Sequence, residues 1–181
     1  TYHYGEESDN PATAMLSVAG KLGIETAPIC IDPPQIIPDS VNEKGEQVID
    51  LEALARHRGS AFGHIGMAEQ PTSLQFQNDL HAEFMKLDRN RRIWIESESL
   101  SIGKVYLPET LWESLNNAPV IELSIPKKIR IERLVKEYGK FDISDLQAST
   151  RKIGKKFGNN NVQDVLSFLE KGDLKQAAEL L

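Results

Sequence analysis

The stretch QVIDLEALARHRGSAFG, residues 47–63, combines the pattern of a short buried strand with that of an amphipathic helix. After the apolar run QVIDL, three residues fall on one face at helical spacing: Leu51, Leu54 and Ala55. Cation-capable side chains and a small-residue loop then follow. A strand that passes directly into a helix is the repeating unit of an α/β fold, so this stretch indicates the fold class.

The same alternation continues on both sides of this stretch. Further strand patterns occupy residues 27–31, 92–96 and 119–124. Helical patterns occupy residues 10–22, the segment after Gln70-Pro71-Thr72, and the segments that begin at Pro108 and Pro126. We therefore predict a parallel sheet flanked by helices.

The C-terminal part is predicted to be helical throughout. Ser144 and Gln147 have the spacing of a capping box, Gly158 is placed to end a helix, and Asp173 is placed to cap the last one. The predicted division is an unassigned segment at residues 1–43, an α/β core at residues 44–141 and a helical part at residues 142–181.

Composition limits the class of protein. The 181 residues are 40% hydrophobic and 27% charged, which is typical of one globular domain. No apolar run approaches the ~20 residues of a membrane span and the N-terminus lacks a secretory signal, so we expect a cytoplasmic protein without membrane contact. The single Cys30 permits no internal disulfide and is expected in the core, and the four histidines show no metal-ligand spacing.

The carboxyl ends of the predicted strands are where ligands bind in open α/β sheets. After the first helix, guanidinium groups and small residues offer bidentate contacts and backbone N–H groups to a phosphate. The predicted phosphate-binding residues are Arg56, His57, Arg58, Gly59, Ser60 and Gly63. The alternative is a solvated helix C-terminus whose cations complement the helix dipole.

Two further features lie at the same predicted edge. The strand at residues 92–96 ends in Glu96, and Glu98 lies two positions later, where a nucleotide-binding protein would hold a magnesium-coordinating or water-positioning carboxylate. Arg130 and Arg133 lie near the start of the helix that begins at Pro126, as a possible anion surface. An acidic strand end without a ligand and an exposed charged helix face are the respective alternatives.

A basic cluster lies in the C-terminal helical part. Four cations occur within six residues of a chain whose net charge is −6: Arg151, Lys152, Lys155 and Lys156. The inward positions of Ile153 and Phe157 leave these cations on the outer face. We predict sequence-independent contact with an RNA backbone, with a solvated helix face as the alternative.

A phosphate-binding loop of the form G-x-x-x-x-G-K-[ST] would unite these features, but the sequence contains none. The segment AGKLG at residues 19–23 has Gly-Lys at a predicted helix end and no following Ser or Thr.

Several long motifs, in order, resemble the C-terminal domain of the tRNA 2-selenouridine synthase family. They are VIDLEALARHRGSAFG (residues 48–63), QPTSLQFQNDL (70–80), RIWIESESLSIGKVYLPETLWESL (92–115) and RIERLVKEYGKF (130–141). The resemblance covers about residues 44–181, roughly three quarters of the chain. It implies a fold like that of P-loop NTPases and a cytoplasmic enzyme that acts on tRNA.

The family resemblance implies a specific chemistry. Enzymes of this family replace sulfur with selenium in wobble-position 2-thiouridine of the tRNA anticodon, using selenophosphate, through an S-geranylated intermediate made from geranyl diphosphate. The sequence itself indicates no bound cofactor. It also lacks the Cys-x-x-Gly-Gly loop of the family's rhodanese domain and the Gly-rich loop expected before residue 46.

Two alternatives to a tRNA-modifying transferase stay open. The strand that ends at Glu96 suits a small-molecule kinase or NTPase of the same fold, whereas the missing phosphate loop favours a non-catalytic RNA-binding module.

Overall fold

The computed structural model describes residues 2–3, 28–32 and 43–181. The predicted helix at residues 10–22, the AGKLG segment and most of residues 1–43 lie outside the described residues. No helix in the described part of the chain is both long enough and apolar enough to cross a bilayer.

The described strands form one parallel sheet and one hairpin. They are β1 (Tyr2–His3), β2 (Pro28–Asp32), β3 (Gln47–Ile49), β4 (Ile93–Glu96), β5 (Ser101–Ile102), β6 (Val105–Tyr106) and β7 (Val120–Ser124). The sheet has the order β1-β7-β2-β4-β3, and every neighbouring pair in it is parallel. Strands β5 and β6 pair antiparallel.

The described helices alternate with the strands and then follow one another. They are α1 (Leu51–Ala55), α2 (Ser73–Phe84), α3 (Glu109–Asn116), α4 (Lys127–Tyr138), α5 (Ile143–Lys152), α6 (Gly154–Phe157), α7 (Asn159–Glu170) and α8 (Leu174–Leu180). The molecule is therefore a mixed α/β protein with a small parallel sheet and helices, as the alternating patterns predict. The predicted strands at residues 27–31, 92–96 and 119–124 correspond to β2, β4 and β7.

The chain divides into two compact units. The first comprises residues 1–59 and 69–124, and the second comprises residues 60–68 and 125–181. The sequence-based division assigned residues 60–68 and 125–141 to the α/β core, whereas by backbone contacts they lie in the second unit.

The core of the first unit is formed by apolar side chains of α1, α2, β4 and the hairpin. Its most deeply buried members include Leu51, Ala55, Phe76, Ile95, Ile102 and Val105. Helical periodicity places Leu51, Ala55 and Phe76 inward, whereas the hairpin residues were not predicted. Burial of this apolar face holds α1 against β4.

Opposite the carboxyl ends of the strands, a polar network joins the start of β3 to the start of β4. The Glu46 carboxylate accepts from both Arg92 Nε at 2.7 Å and Arg92 Nη2 at 2.6 Å, and it accepts from Trp94 Nε1 at 3.0 Å. The bidentate guanidinium beside Glu46 holds the pKa of that carboxyl below its usual value. This network fixes the ends of β3 and β4 that lie away from the candidate site.

The core of the second unit contains both helical residues and the loop at residues 60–68. Ile65 is buried with Tyr138, Leu146 and Val165, and Phe62 packs against this cluster. The rings of Phe62 and Tyr138 meet edge to face with centroids 6.2 Å apart. The apolar residues of the small-residue loop therefore anchor it to the helical part of the chain.

Three local predictions can be compared with the structure. The capping box is wrong: Asp142 is the N-cap of α5 and makes no side-chain cap hydrogen bond, so Ser144 lies within the helix. Asp173 does cap α8, because its side chain accepts from Gln176 N at 3.0 Å. Gly158 ends α6 with a φ of 92°, as predicted for a helix stop.

Candidate functional site

The start of α1 is held by two carboxylates. Asp50 is its N-cap and accepts from Ala53 N at 2.7 Å, while Glu96 Oε2 accepts from Glu52 N at 2.8 Å. Because Glu96 is the last residue of β4, its side chain ties the carboxyl end of that strand to the first turn of α1. Glu96 is only 1% exposed.

Glu52, Glu96 and Glu98 lie close enough to influence one another, and we call them the glutamate cluster; two of them pack against Gly59. A Cβ atom placed on Gly59 would lie 2.6 Å from Glu98 Oε1 and 3.2 Å from Glu52 Oε1. Gly59 also has a φ of 62°, which a residue with a side chain rarely adopts. Glycine is thus required here both by backbone conformation and by the carboxyl groups packed against it.

The glutamate cluster retains protons at neutral pH. Burial, reinforced by the charge of Asp50, raises the pKa of Glu96 to about 9. Burial and the neighbouring charges of Glu98 and Asp50 raise the pKa of Glu52 to about 8, although Arg58 acts in the opposite direction. At pH 7 both buried carboxyls are therefore mainly neutral.

Metal binding is not indicated by the geometry. Within the residues that the structure describes, no group of three or more His, Cys, Asp or Glu side chains is arranged to hold a metal ion.

Arg56 ends α1 in a left-handed conformation, with a φ of 52°. Its backbone N–H donates to the Ala53 carbonyl at 3.1 Å. The guanidinium is exposed, and its Nη1 donates to Glu69 O at 3.0 Å. This contact directs the side chain towards the segment that precedes α2. A guanidinium has five N–H donors, so several can face a ligand at the same time.

The other residues of the predicted phosphate loop differ in environment. His57 is buried, with an exposed fraction of 7%, and its backbone N–H donates to Glu52 O at 3.0 Å. Arg58 is half-buried. Ser60 Oγ accepts from Phe62 N at 3.2 Å, and the buried Gly63 donates its N–H to Ser60 O at 2.9 Å.

The predicted site residues are divided between the two units. Arg56, Arg58, Gly59 and the two glutamates lie in the first unit. Ser60, Gly63 and the remaining predicted cations belong to the second unit, in which Arg130 is exposed on α4 and Arg133 is half-buried.

The basic cluster is exposed on α5 and α6. All four of its side chains face solvent: Arg151, Lys152, Lys155 and Lys156. On α5 the buried residues are Leu146, Ser149 and Thr150, and the cations come after them in the chain. We refer to these four residues as the basic face.

Two residues near the site were missed by sequence reasoning. Glu52 has the usual signature of an acidic residue in the first turn of a helix, so no pattern distinguishes its buried carboxyl. Gln70 makes three hydrogen bonds, to Ala55 O, Ile102 O and Lys104 N.

The hairpin of β5 and β6 was also missed, although two alternating pairs flank the two-residue turn Gly103-Lys104.

Comparison with known proteins gives a consistent family assignment. Residues 40–167, more than half of the chain, match the family described as the tRNA 2-selenouridine synthase AAA domain. A relative named tRNA 2-selenouridine synthase, from Nitrosomonas europaea, is 36% identical over 121 residues, which are 65% of this chain and 31% of that protein. The chain therefore spans less than a third of the length of this relative. No solved structure matches it. By these matches, the chain belongs to the tRNA 2-selenouridine synthase AAA-domain family.

Proposed function

We propose that the chain is the P-loop-like domain of a cytoplasmic transferase that modifies tRNA, with residues 44–141 as its core and helices on both faces of the sheet. The substrate is wobble 2-thiouridine in the anticodon region, which is geranylated from geranyl diphosphate and then exchanges sulfur for selenium from selenophosphate. The name of the Nitrosomonas relative and the family match support the tRNA-modifying role. The details of the chemistry follow from the family resemblance.

The observation that carries the proposal is the position of Arg56 and Arg58. Arg58 is close enough to Glu52, in the first turn of α1, for its charge to oppose the rise in the pKa of that carboxyl, and the adjacent Gly59 packs against Glu98, two residues after β4. We therefore place both arginines near the carboxyl ends of the strands, where α/β sheets bind ligands. Arg56 is exposed, and its Nη1 donates to Glu69 O. We propose that the two arginines hold a phosphate of the diphosphate or of the tRNA backbone.

Replacing Arg56 with alanine is expected to weaken phosphate binding and to leave folding almost unchanged. The loss is ~1.5 to 3 kcal/mol of binding free energy, the scale of a hydrogen bond to a charged group. Arg58→Ala is expected to have a similar effect on binding. Isothermal titration with geranyl diphosphate, and filter binding with a thiolated anticodon stem-loop, provide the measurements.

Arg89 supplies the matched control, because it is an exposed arginine of the first unit that follows α2. Arg89→Ala removes the same charge and is expected to leave both affinities unchanged. If Arg56→Ala and Arg89→Ala have equal effects, the loss reflects net charge and the proposed phosphate site is incorrect. If Arg56→Ala and Arg58→Ala lower only the melting temperature, the two arginines are structural.

The basic face is proposed to contact the tRNA backbone without base specificity. Lys155→Glu combined with Lys156→Glu is expected to weaken binding of all tRNAs alike. It is also expected to lower the slope of log K against log salt by ~0.7 to 0.9 for each phosphate that the protein no longer neutralises. Binding measured from about 50 to about 200 mM salt gives this slope. An unchanged slope would exclude the basic face from the tRNA surface.

The kinase or NTPase alternative depends on Glu96 and Glu98 as carboxylates at a strand end. Burial raises the pKa of Glu96 to about 9, so at pH 7 this carboxyl would have to release a proton in order to bind Mg²⁺. ATP hydrolysis measured beside geranyl transfer separates this alternative from the proposed transferase. Retained tRNA binding without either activity, in a protein that includes the rhodanese domain, would favour the non-catalytic RNA-binding module.

A further inference from the structure

Gln70 lies between two segments of the first unit and hydrogen-bonds to both. Its Nε2 donates to Ala55 O at 3.0 Å and to Ile102 O at 2.9 Å, while its Oε1 accepts from Lys104 N at 2.9 Å. Ala55 is the last residue of α1, and Ile102 and Lys104 flank Gly103 in the hairpin turn. One half-buried amide therefore fastens the hairpin turn to the end of α1.

The turn packs closely against Gln70 and His57. Gly103 has a φ of 61°, and a Cβ atom placed on it would overlap the Gln70 amide and lie 2.7 Å from His57 Cδ2. The backbone of Lys104 is consequently fixed relative to the buried ring of His57, the residue between the two arginines.

The same segment also orients Arg56. Its Nη1 donates to the carbonyl of Glu69, the residue before Gln70. Arg56 and Lys104 are both exposed, and their positions are set by contacts with two consecutive residues. The hairpin follows β4, so these cations lie near the carboxyl ends of the strands.

We propose that Lys104 contacts phosphate together with Arg56, and that Gln70 is the positioning residue that holds the two cations side by side. A guanidinium provides planar bidentate contacts and an ammonium provides a compact point charge, so the pair suits the oxygens of one phosphate or of two neighbouring ones. The ligand is a diphosphate group or an RNA phosphodiester. This inference rests on the proposed function, because that function assigns phosphate binding to Arg56.

Lys104→Ala is expected to weaken tRNA binding by about 3- to 10-fold and to reduce the salt slope by ~0.7 to 0.9, as expected when one phosphate is no longer neutralised. Lys44→Ala is the matched control. Lys44 is an exposed lysine of the same unit, but it precedes β3 and so lies at the opposite end of that strand. Its replacement is expected to leave the slope unchanged.

The role of Gln70 is tested by the coupling between the two cations. With Gln70 present, the fold loss of tRNA affinity in the double variant Arg56→Ala, Lys104→Ala should differ by a few fold from the product of the fold losses in the two single variants. Gln70→Met removes all three hydrogen bonds of the amide, and in that background we expect the single losses to multiply. Gln70→Glu keeps an acceptor for Lys104 N and lacks both donors, so it should also abolish the coupling. All variants are compared below their measured melting temperatures.

The outcomes separate this inference from the proposed function. If Arg56→Ala weakens binding and Lys104→Ala acts like Lys44→Ala, the assignment of Lys104 is overturned and the proposed function stands. If neither replacement affects binding, the proposed phosphate site fails. If the coupling between Arg56 and Lys104 persists in Gln70→Met, Gln70 does not position the two cations and its role is structural. Wild type and Lys104→Ala are titrated in parallel with inorganic diphosphate and with a tRNA transcript. The ligand whose affinity falls in Lys104→Ala is the source of the phosphate.

Discussion

Replacing Glu96 with glutamine is expected to make the protein more stable at pH 8 and to remove much of the dependence of its stability on pH. Glu96 is buried, and its pKa is raised from 4.5 to about 9. The folded protein therefore holds a proton that the unfolded chain releases above pH 4.5. The stabilisation associated with this proton is complete below pH 4.5 and is lost as the pH rises towards 9.

Between the pKa of Glu96 in the unfolded chain and its pKa in the folded protein, each pH unit lowers the free energy of unfolding by about 1.4 kcal/mol. From pH 5 to pH 8 the wild-type free energy of unfolding should fall by roughly 3 to 4 kcal/mol through Glu96, with a further contribution from Glu52. Glutamine stays neutral in both states and can still accept from Glu52 N. Urea unfolding at pH 5, 6, 7 and 8 measures the difference.

Two further variants isolate the cause. Glu96→Leu removes the same titration but leaves the Glu52 N–H without its acceptor, so its curve should run parallel to that of Glu96→Gln and lie ~1 to 3 kcal/mol lower. Glu113→Gln changes an exposed glutamate of α3 and should reproduce the wild-type curve. If wild type and Glu96→Gln have parallel curves, Glu96 does not hold a proton in the folded protein.

Replacing Gly66 with alanine is expected to destabilise the second unit by ~2 to 4 kcal/mol. Gly66 has a φ of 71°, where an added Cβ costs ~1 kcal/mol. The Cβ would also overlap the ring of Phe141, and relieving such an overlap in a packed core costs ~1 to 3 kcal/mol more. Far-ultraviolet circular dichroism during urea unfolding follows the loss of helix.

Gly172 is a close control for this substitution. It belongs to the same unit and has a φ of 73°, but no atom lies within 4 Å of a Cβ placed there. Gly172→Ala should therefore cost only the ~1 kcal/mol of the backbone conformation. In a Phe141→Ala background, Gly66→Ala should likewise cost only the part that arises from the backbone conformation, since the crowding ring is absent. Equal losses for Gly66→Ala and Gly172→Ala would contradict the crowding.

Local patterns in the sequence were sufficient to predict the main secondary structure of the described chain. The apolar run that contains Val48 predicts β3, and the inward faces of α1, α2 and α4 follow from helical spacing. The apolar pattern of residues 92–96 also predicts a strand that ends at Glu96. In a parallel sheet this position lies at the edge formed by the carboxyl ends of the strands.

The missing features depend on contacts between distant segments. Nothing near Glu52 in the sequence shows that Gly59 and Glu98 will cover its carboxyl. Gln70 is one polar residue before a Pro-Thr turn, and only the hairpin at residues 101–106 gives it partners. Helical periodicity also does not show that Phe62 and Ile65 pack with residues of the C-terminal helices, so the assignment of the loop with Ser60 and Gly63 to the second unit could not be predicted.

The parallel sheet also has a kinetic consequence for the glutamate cluster. Glu52 follows β3 and Glu96 ends β4, and these strands are separated in the chain by α1 and α2. Their carboxyls can meet only when the two strands pair, a non-local step that is expected to be slower than formation of the helices. Proton uptake should therefore accompany strand pairing rather than early collapse. During refolding at pH 7 in weak buffer, a pH-indicator dye should report this uptake in the slow phase, after most of the helical signal has returned.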